Sequence, residues 1–286
     1  MKPSDIFLTI LVLAIWGLNN SMAKLGVSQV PPFLFVTIRF LLTGLLFLPF
    51  ARIKRADIKP LLIAGFFLNV TYMGTLFVAI KLLPVSTMVV LEQLKVLVAF
   101  VMAWAFAGEK ITKQNLLGIF IALMGFLYIF GMPQLNIYGL AAVALCWIFW
   151  GITQLVFKKM PSFKPMTFMS YTSLAAVPFL FVISFLFEFD DWGQIKSVDG
   201  KFYMSLAYAV LALGFAMMLW QRIIAQNGIN KVSHYVLLQI LFGILGGMVI
   251  FHERLNQYIV VGALLIIAGV ALVNFKLPKK KKPIIS

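Results

Sequence analysis

The amino-acid sequence predicts an all-α polytopic membrane protein: ten transmembrane helices, arranged as two inverted five-helix repeats, with both termini cytoplasmic. Composition, the spacing of apolar runs and motifs shared by the two halves carry that expectation. Of 286 residues, 62% are hydrophobic and 12% charged, and the mean hydropathy is +1.01. A soluble domain is roughly 45–50% apolar and 25% charged. A helix needs about 20 apolar residues to cross a bilayer, so ten spans use about 200 and leave no room for a soluble domain.

Apolar runs with few charges lie at 6–23, 33–50, 61–80, 85–107, 115–131, 137–157, 166–187, 204–225, 232–251 and 256–275. Breakers separate them: Pro31-Pro32, Pro60, Pro84, Gly108, Met132-Pro133, Pro161 with Pro165, and Asn227-Gly228. The first run has one lysine ahead of it, as a signal peptide would. It continues through Asn19-Asn20-Ser21 to Lys24 without a small-residue cleavage site, so it reads as a permanent span.

Basic residues set the orientation. With a cytoplasmic N-terminus, sixteen of the 24 Lys and Arg fall in inner segments, among them Arg52, Lys54, Arg55, Lys59 and the tail Lys279 to Lys282. Five fall outside (Lys24, Lys81, Lys196, Lys201, Arg254), and Arg39, Lys95 and Arg222 lie within spans. The excess of inner positive charge places both termini inside, while Glu188, Asp190, Asp191 and Asp199 gather in the longest outer connection. A formal charge of +15 would point to nucleic acid in a soluble chain; here the bilayer is the partner and nucleic acid is not. The lone Cys146 excludes an intramolecular disulfide and a structural thiolate zinc site, and no cofactor or metal is expected.

Two halves share motifs. Ile15-Trp16-Gly17-Leu18-Asn19 recurs as Phe149-Trp150-Gly151-Ile152-Thr153 at an offset of 134, which also matches Lys24 to Lys158. Glu109-Lys110-Ile111, Gly118 and Gly125 recur as Glu253-Arg254-Leu255, Gly262 and Gly269 at 144, and Val85-Ser86 as Val232-Ser233 at 147. The implied units are 1–134 and 135–286. Five helices being odd, the second unit enters the membrane from the opposite side. Such repeats place a binding site near the midplane between the halves and let them rock.

Trp16-Gly17-x-Asn19 followed by Lys24, Arg39 after Pro31-Pro32, Leu219-Trp220-x-Arg222, and Gly108-Glu109-Lys110 with Glu253-Arg254-Leu255 ahead of Gly-x6-Gly helices together resemble the EamA branch of the drug/metabolite transporter superfamily. The resemblance spans nearly the whole chain. It implies a DMT-type inverted bundle in the cell membrane, the inner membrane of a bacterium, and secondary transport, often export, of small metabolites, amino acids or drugs. The family often has a proline midway along the fourth and ninth helices. Here those stretches read Leu91-Glu92-Gln93-Leu94-Lys95-Val96 and Leu238-Gln239-Ile240-Leu241-Phe242, so the family's picture of their bend does not carry over.

A charge at mid-helix costs roughly 2.5–3.5 kcal/mol on insertion scales and marks a functional site by default. Glu92 and Lys95, at i and i+3, share a face and can pair, with Gln93 about 100° away. Either the pair holds the helix in register, or Glu92 meets a cationic group or a transported proton and Lys95 an anionic one, an arrangement suited to a zwitterion such as an amino acid. At the offset of 147 the partner of Glu92 is Gln239, so the acid occurs in one half only. Arg39, near the outer end of the second helix, either snorkels to the interface or faces a central cavity. Arg222, one turn before the inner end of the eighth, either anchors at the interface or closes an inner gate. His234 is suited to sensing a proton near neutral pH, or to bonding a neighbour, and Tyr235 and Gln239 share a face of the ninth helix. Asn19, Asn20 and Gln154 offer neutral donors and acceptors, for interhelical bonds or for substrate. Trp16, Tyr72, Trp147, Trp150 and Trp220 read either as an aromatic cavity wall or as bundle packing and interfacial belts. Gly118, Gly125, Gly262 and Gly269 read as helix-packing positions, and Glu109 and Glu253 as structural caps.

The expectation is a secondary transporter, of exporter type, moving a small metabolite by alternating access. The substrate set is Asn19, Arg39, Tyr72, Glu92, Gln93, Lys95, Trp150, Gln154, Tyr235 and Gln239; Glu92, Arg222 and His234 are the coupling and gating candidates, with protons as a coupling partner. No GxxxxGK[ST] loop is present, which excludes ATP coupling within the chain. Two alternatives stand beside it. A membrane-embedded enzyme would need clustered Asp, Glu or His near one interface, whereas the two histidines lie far apart. An assembly or sensor subunit would move no solute alone.

Overall fold

A computed structural model describes residues 1–286 except 134, 229–231, 233, 234, 237 and 275–286. His234 and the basic tail lie outside the described residues. Among those described, all regular structure is helical: α1 (Pro3–Val27), α2 (Pro32–Phe47), α3 (Ile58–Gly65), a π-helical segment Phe66–Tyr72, α4 (Met73–Leu82), α5 (Val85–Leu91), α6 (Leu94–Ala107), α7 (Lys113–Phe130) and α8 (Ile137–Lys158). There follow α9 (Pro165–Glu188), α10 (Gly200–Ala207), a second π segment Tyr208–Ala212, α11 (Leu213–Asn227), α12 (Leu238–Phe251) and α13 (Gln257–Asn274).

Eight helical runs, from Pro3–Val27 to Gly200–Asn227, are long and apolar enough to cross a membrane, and two shorter apolar helices follow. The chain is a multi-pass integral membrane protein. Leu116, Phe120, Leu123 and Leu127 of α7 point outward and stay exposed, as side chains facing lipid do.

Local chemistry explains the helix ends. Proline occupies the first turn of α1, α2 and α9, where its missing N–H costs nothing. Thr112 and Asn115 form a reciprocal cap at the start of α7, and Asn136 caps α8. At the end of α6, Gly108 turns the chain with φ +70°, and His252 does the same after α12 with φ +53°. The turn recurs in detail: Glu109 N donates to Ala103 O at 3.3 Å, and Glu253 N to Gly247 O at 3.3 Å.

Three expectations need correction. The fourth span is broken rather than continuous over 85–107: α5 ends at Leu91 and α6 begins at Leu94. Around the break Gln93 N donates to Val90 O, Lys95 N to Glu92 O and Val96 N to Gln93 O, at 3.2 to 3.3 Å. These tight i to i−3 bonds interrupt the α-helical pattern without a proline. Next, in the run expected over 232–251 the described helix is Leu238–Phe251, and Tyr235 lies ahead of it. Last, α12 and α13 reproduce the bounds of α6 and α7 displaced by 144 residues. That register sets Lys95, not Glu92, opposite Gln239.

The main helix contacts join the halves: α7 packs on α13, α2 on α9, α1 on α12, and α6 on α8. Glycine permits the closest of them. A Cβ on Gly118 would lie 2.6 Å from the Gly269 carbonyl oxygen, and one on Gly125 2.8 Å from that of Gly262. Small residues let backbones touch where no hydrophobic force draws helices together. These glycines stand apart from the cavity described next.

Candidate functional site

A cavity of about 550 Å³ lies between the halves, lined from α1, α2, the first π segment, the break in the fourth span, α8, α9 and the eighth span, with Gln239 from α12. Glu92 and Lys95 lie on either side of the start of α6, and both line the cavity.

Lys95 Nζ is ion-paired with Glu92 Oε1 and donates to the Tyr72 hydroxyl at 2.9 Å. Tyr72 OH in turn donates to Glu92 Oε1 at 3.2 Å, and Asn20 Nδ2 donates to Oε2 at 2.9 Å. Both oxygens of Glu92 are therefore occupied by this chain's own donors. The ammonium also lies 5.1 Å from the Trp150 ring centre and 5.5 Å from that of Tyr72, a cation–π arrangement that strengthens when water is excluded. Tyr72 and Trp150 pack at 4.8 Å across the halves, as Trp16 and Trp220 do at 4.9 Å.

Arg39 faces the cavity and does not snorkel. It is 7% exposed, it lies 5.4 Å from the Phe40 ring centre and 5.1 Å from that of Phe77, and its Nε and Nη1 have no hydrogen-bond partner. One turn on, Thr43 lines the same cavity with its hydroxyl buried and unpartnered.

Asn19, Arg39, Tyr72, Glu92, Lys95, Trp150 and Gln239 are thus brought together. Gln93 borders a small adjoining cavity of about 40 Å³ with Asn19, Asn20, Glu92 and Gln239. Gln154 and Tyr235 lie outside both linings. Arg222 is exposed and off the cavity wall, which its neighbour Gln221 joins instead. Trp147 leaves the wall and packs edge-on against Phe126 at 5.5 Å. Thr43, Asn69, Ser173 and Gln221 line the cavity without having been singled out from sequence. Thr43 carried a signal, since it follows Arg39 by four residues, and so did Asn69, a polar side chain inside the apolar run 61–80; the π segment that holds Asn69 has no sequence marker.

The two ends of the bundle differ. At one, Glu253 accepts the backbone N–H of Val85 at 2.6 Å and of Ser86 at 2.8 Å, capping α5 from the other half. There too Lys24 donates to the Leu83 carbonyl, Glu188 accepts the N–H groups of Phe33 and Leu34 at 3.0 Å each, and Gln29 and Asp199 bond reciprocally. At the other end Glu109 meets Lys158 at 3.0 Å in an exposed pair, Gln114 and Asn115 donate to the Leu272 and Val273 carbonyls at 2.7 and 3.2 Å, and Asn227 donates to Asp5 at 3.2 Å. Among the described residues no cluster of His, Cys, Asp and Glu has a metal-binding arrangement.

A multi-pass helical bundle whose halves enclose a charged, aromatic-walled cavity has the build of a membrane transport protein. The EamA-like transporter family matches residues 4–131 and again residues 137–275, and the chain belongs to that family. It is 25% identical to the uncharacterized transporter YoaV of Bacillus subtilis, over 94% of this chain and 96% of that one. It is 25% identical to a probable amino-acid metabolite efflux pump of Salmonella typhimurium, over 94% of each. A solved crystal structure matches at 19% identity with a TM-score of 0.59, over 96% of this chain and 97% of the other; that likeness shows the fold alone.

Proposed function

We propose that the protein is a secondary transporter of export type for a small amphipathic metabolite, amino acids among the candidates, working by alternating access. In this reading residues 1–134 and 135–286 are inverted five-helix repeats, ten spans cross the membrane, and both termini are cytoplasmic. The double family match and the shared 144-residue register of α6 and α7 with α12 and α13 support the repeats. The sixteen inner basic residues support the orientation. The relatives named as probable amino-acid metabolite efflux pumps, in Salmonella typhimurium and Escherichia coli, support export and the substrate class.

The observation that carries the mechanism is the difference between the two ends. The cavity lies between the halves and its lining reaches Phe168, Met169 and Gln221, within two turns of the helix ends beside Glu109 and Lys158, while at the opposite end Glu253 caps α5 and Glu188 caps α2 across the halves. Under the proposed orientation this is an inward-facing state. Exchange of the fastened end between Glu253 and its counterpart Glu109 would complete the cycle.

The test is uptake of a mixed metabolite pool into proteoliposomes, read by mass spectrometry, with and without a pH gradient, for wild type and Glu92→Gln. Saturable uptake that the variant loses supports transport through this cavity, and dependence on the gradient supports a coupled proton. Absence of uptake for every compound counts against the reading.

A further inference from the structure

We infer that the cavity binds the carboxylate of its ligand at Arg39 and Thr43, and that the ligand is a small monocarboxylate with an apolar or aromatic body. The inference rests on reading this cavity as the substrate site, and it names the substrate's charge.

Among the described residues the charged side chains lining the cavity are Arg39, Glu92 and Lys95. Glu92 and Lys95 neutralise each other, and Asn20 and Tyr72 take up what Glu92 has left to accept. Arg39 is left over. Its guanidinium has no acid beside it, two of its nitrogens are buried without a partner, and phenylalanine rings flank it. A buried charge is ordinarily paired or hydrogen-bonded, and desolvated arginine is the side chain best matched to the two oxygens of a carboxylate. Thr43, on the same face of α2, adds a second buried donor without a partner. No acid among the described residues lining the cavity is left to pair with Arg39, and the counter-ion arrives with the ligand. The rest of the wall, with Trp16, Tyr72, Trp150 and Trp220, suits an apolar or aromatic body. The sequence had pointed to Lys95 for the anionic end of a ligand; the pairing of Lys95 with Glu92 moves that role to Arg39.

Purified full-length protein is titrated with 3-phenylpropionate, 3-phenylpropionamide and 2-phenylethylammonium, following the fluorescence of the cavity tryptophans. The acid is expected to bind at least tenfold more tightly than the amide or the amine. That preference is lost in Arg39→Gln and kept in Arg39→Lys. Should Arg39→Gln fail to fold, wild type supplies the second measurement: the acid, and not the amide, protects Arg39 from phenylglyoxal, read by peptide mass spectrometry. Equal binding of acid and amide, no binding of either, an acid preference that survives Arg39→Gln, or equal protection by both compounds overturns the site. Flux separates the two readings. An Arg39-dependent acid preference without flux in proteoliposomes counts against transport and leaves the anion site standing; flux without that preference does the reverse.

Discussion

Asn20 donates its side-chain amide to Oε2 of Glu92 across 2.9 Å, tying the first helix to the break in the fourth span. The other oxygen of Glu92 belongs to Lys95 and Tyr72. A carboxylate held from three elements behaves as part of a unit, and removing any one member exposes the rest.

Glu92→Leu leaves Lys95 in the bundle without a counter-ion. Breaking a buried pair from one side costs about 3–5 kcal/mol, whereas replacing both partners by apolar residues is often neutral. Glu92→Leu is therefore expected to unfold at a clearly lower temperature in detergent, and Glu92→Leu with Lys95→Leu to recover most of the loss. Equal melting of the single and double variants would mean that the two side chains act independently.

Gly118→Val drives a side chain into the Gly269 backbone, where a Cβ already falls 2.6 Å from the carbonyl oxygen. Overpacking of this kind costs about 1–3 kcal/mol, to be read as a lower thermal midpoint. Gly193→Ala, with nothing within 4 Å of the added carbon, is expected to stay within about 0.5 kcal/mol of wild type.

Glu253→Gln weakens the cap over Val85 and Ser86. Hydrogen bonds to a charged group contribute about 1.5–3 kcal/mol each, so loss of even one raises the open population at that end about tenfold. Val89→Cys, one turn deeper and 4% exposed, reports on it through maleimide labelling, since the native Cys146 is fully buried. Labelling is expected to be slow with Glu253 present and several-fold faster in Glu253→Gln; an unchanged rate removes Glu253 from the gate.

A reporter fused after Ser286 is expected to read cytoplasmic and one inserted at Gly193 external. A cytoplasmic reading at Gly193 would end the inverted-repeat proposal, because the two units would then enter the membrane from the same side.

The membrane class, the helix order and the family were legible in the chain because each rests on local quantities: apolar run length, breaker residues, and short motifs such as Trp16-Gly17 and Glu109-Lys110 that need no partner to be read. Glu92, Lys95 and Arg39 were legible as candidates for the same reason, since a charge in an apolar run stands out by its cost alone. Their roles were not. Whether Glu92 pairs or binds depends on Asn20 and Tyr72 arriving from other helices, and whether Arg39 snorkels depends on Phe77 of α4 lying 5.1 Å away. The helix breaks were equally hidden, because the interruption at Glu92-Gln93 and the π segments at Phe66–Tyr72 and Tyr208–Ala212 carry neither proline nor a glycine pair. Composition and periodicity mark the chain as a membrane bundle of apolar helices and set their order. Packing between the halves decides which polar side chain is satisfied and which is left waiting, for hydrogen bonds and ion pairs inside a bilayer are chosen by whatever donor or acceptor the neighbouring helix brings within 3 Å or so.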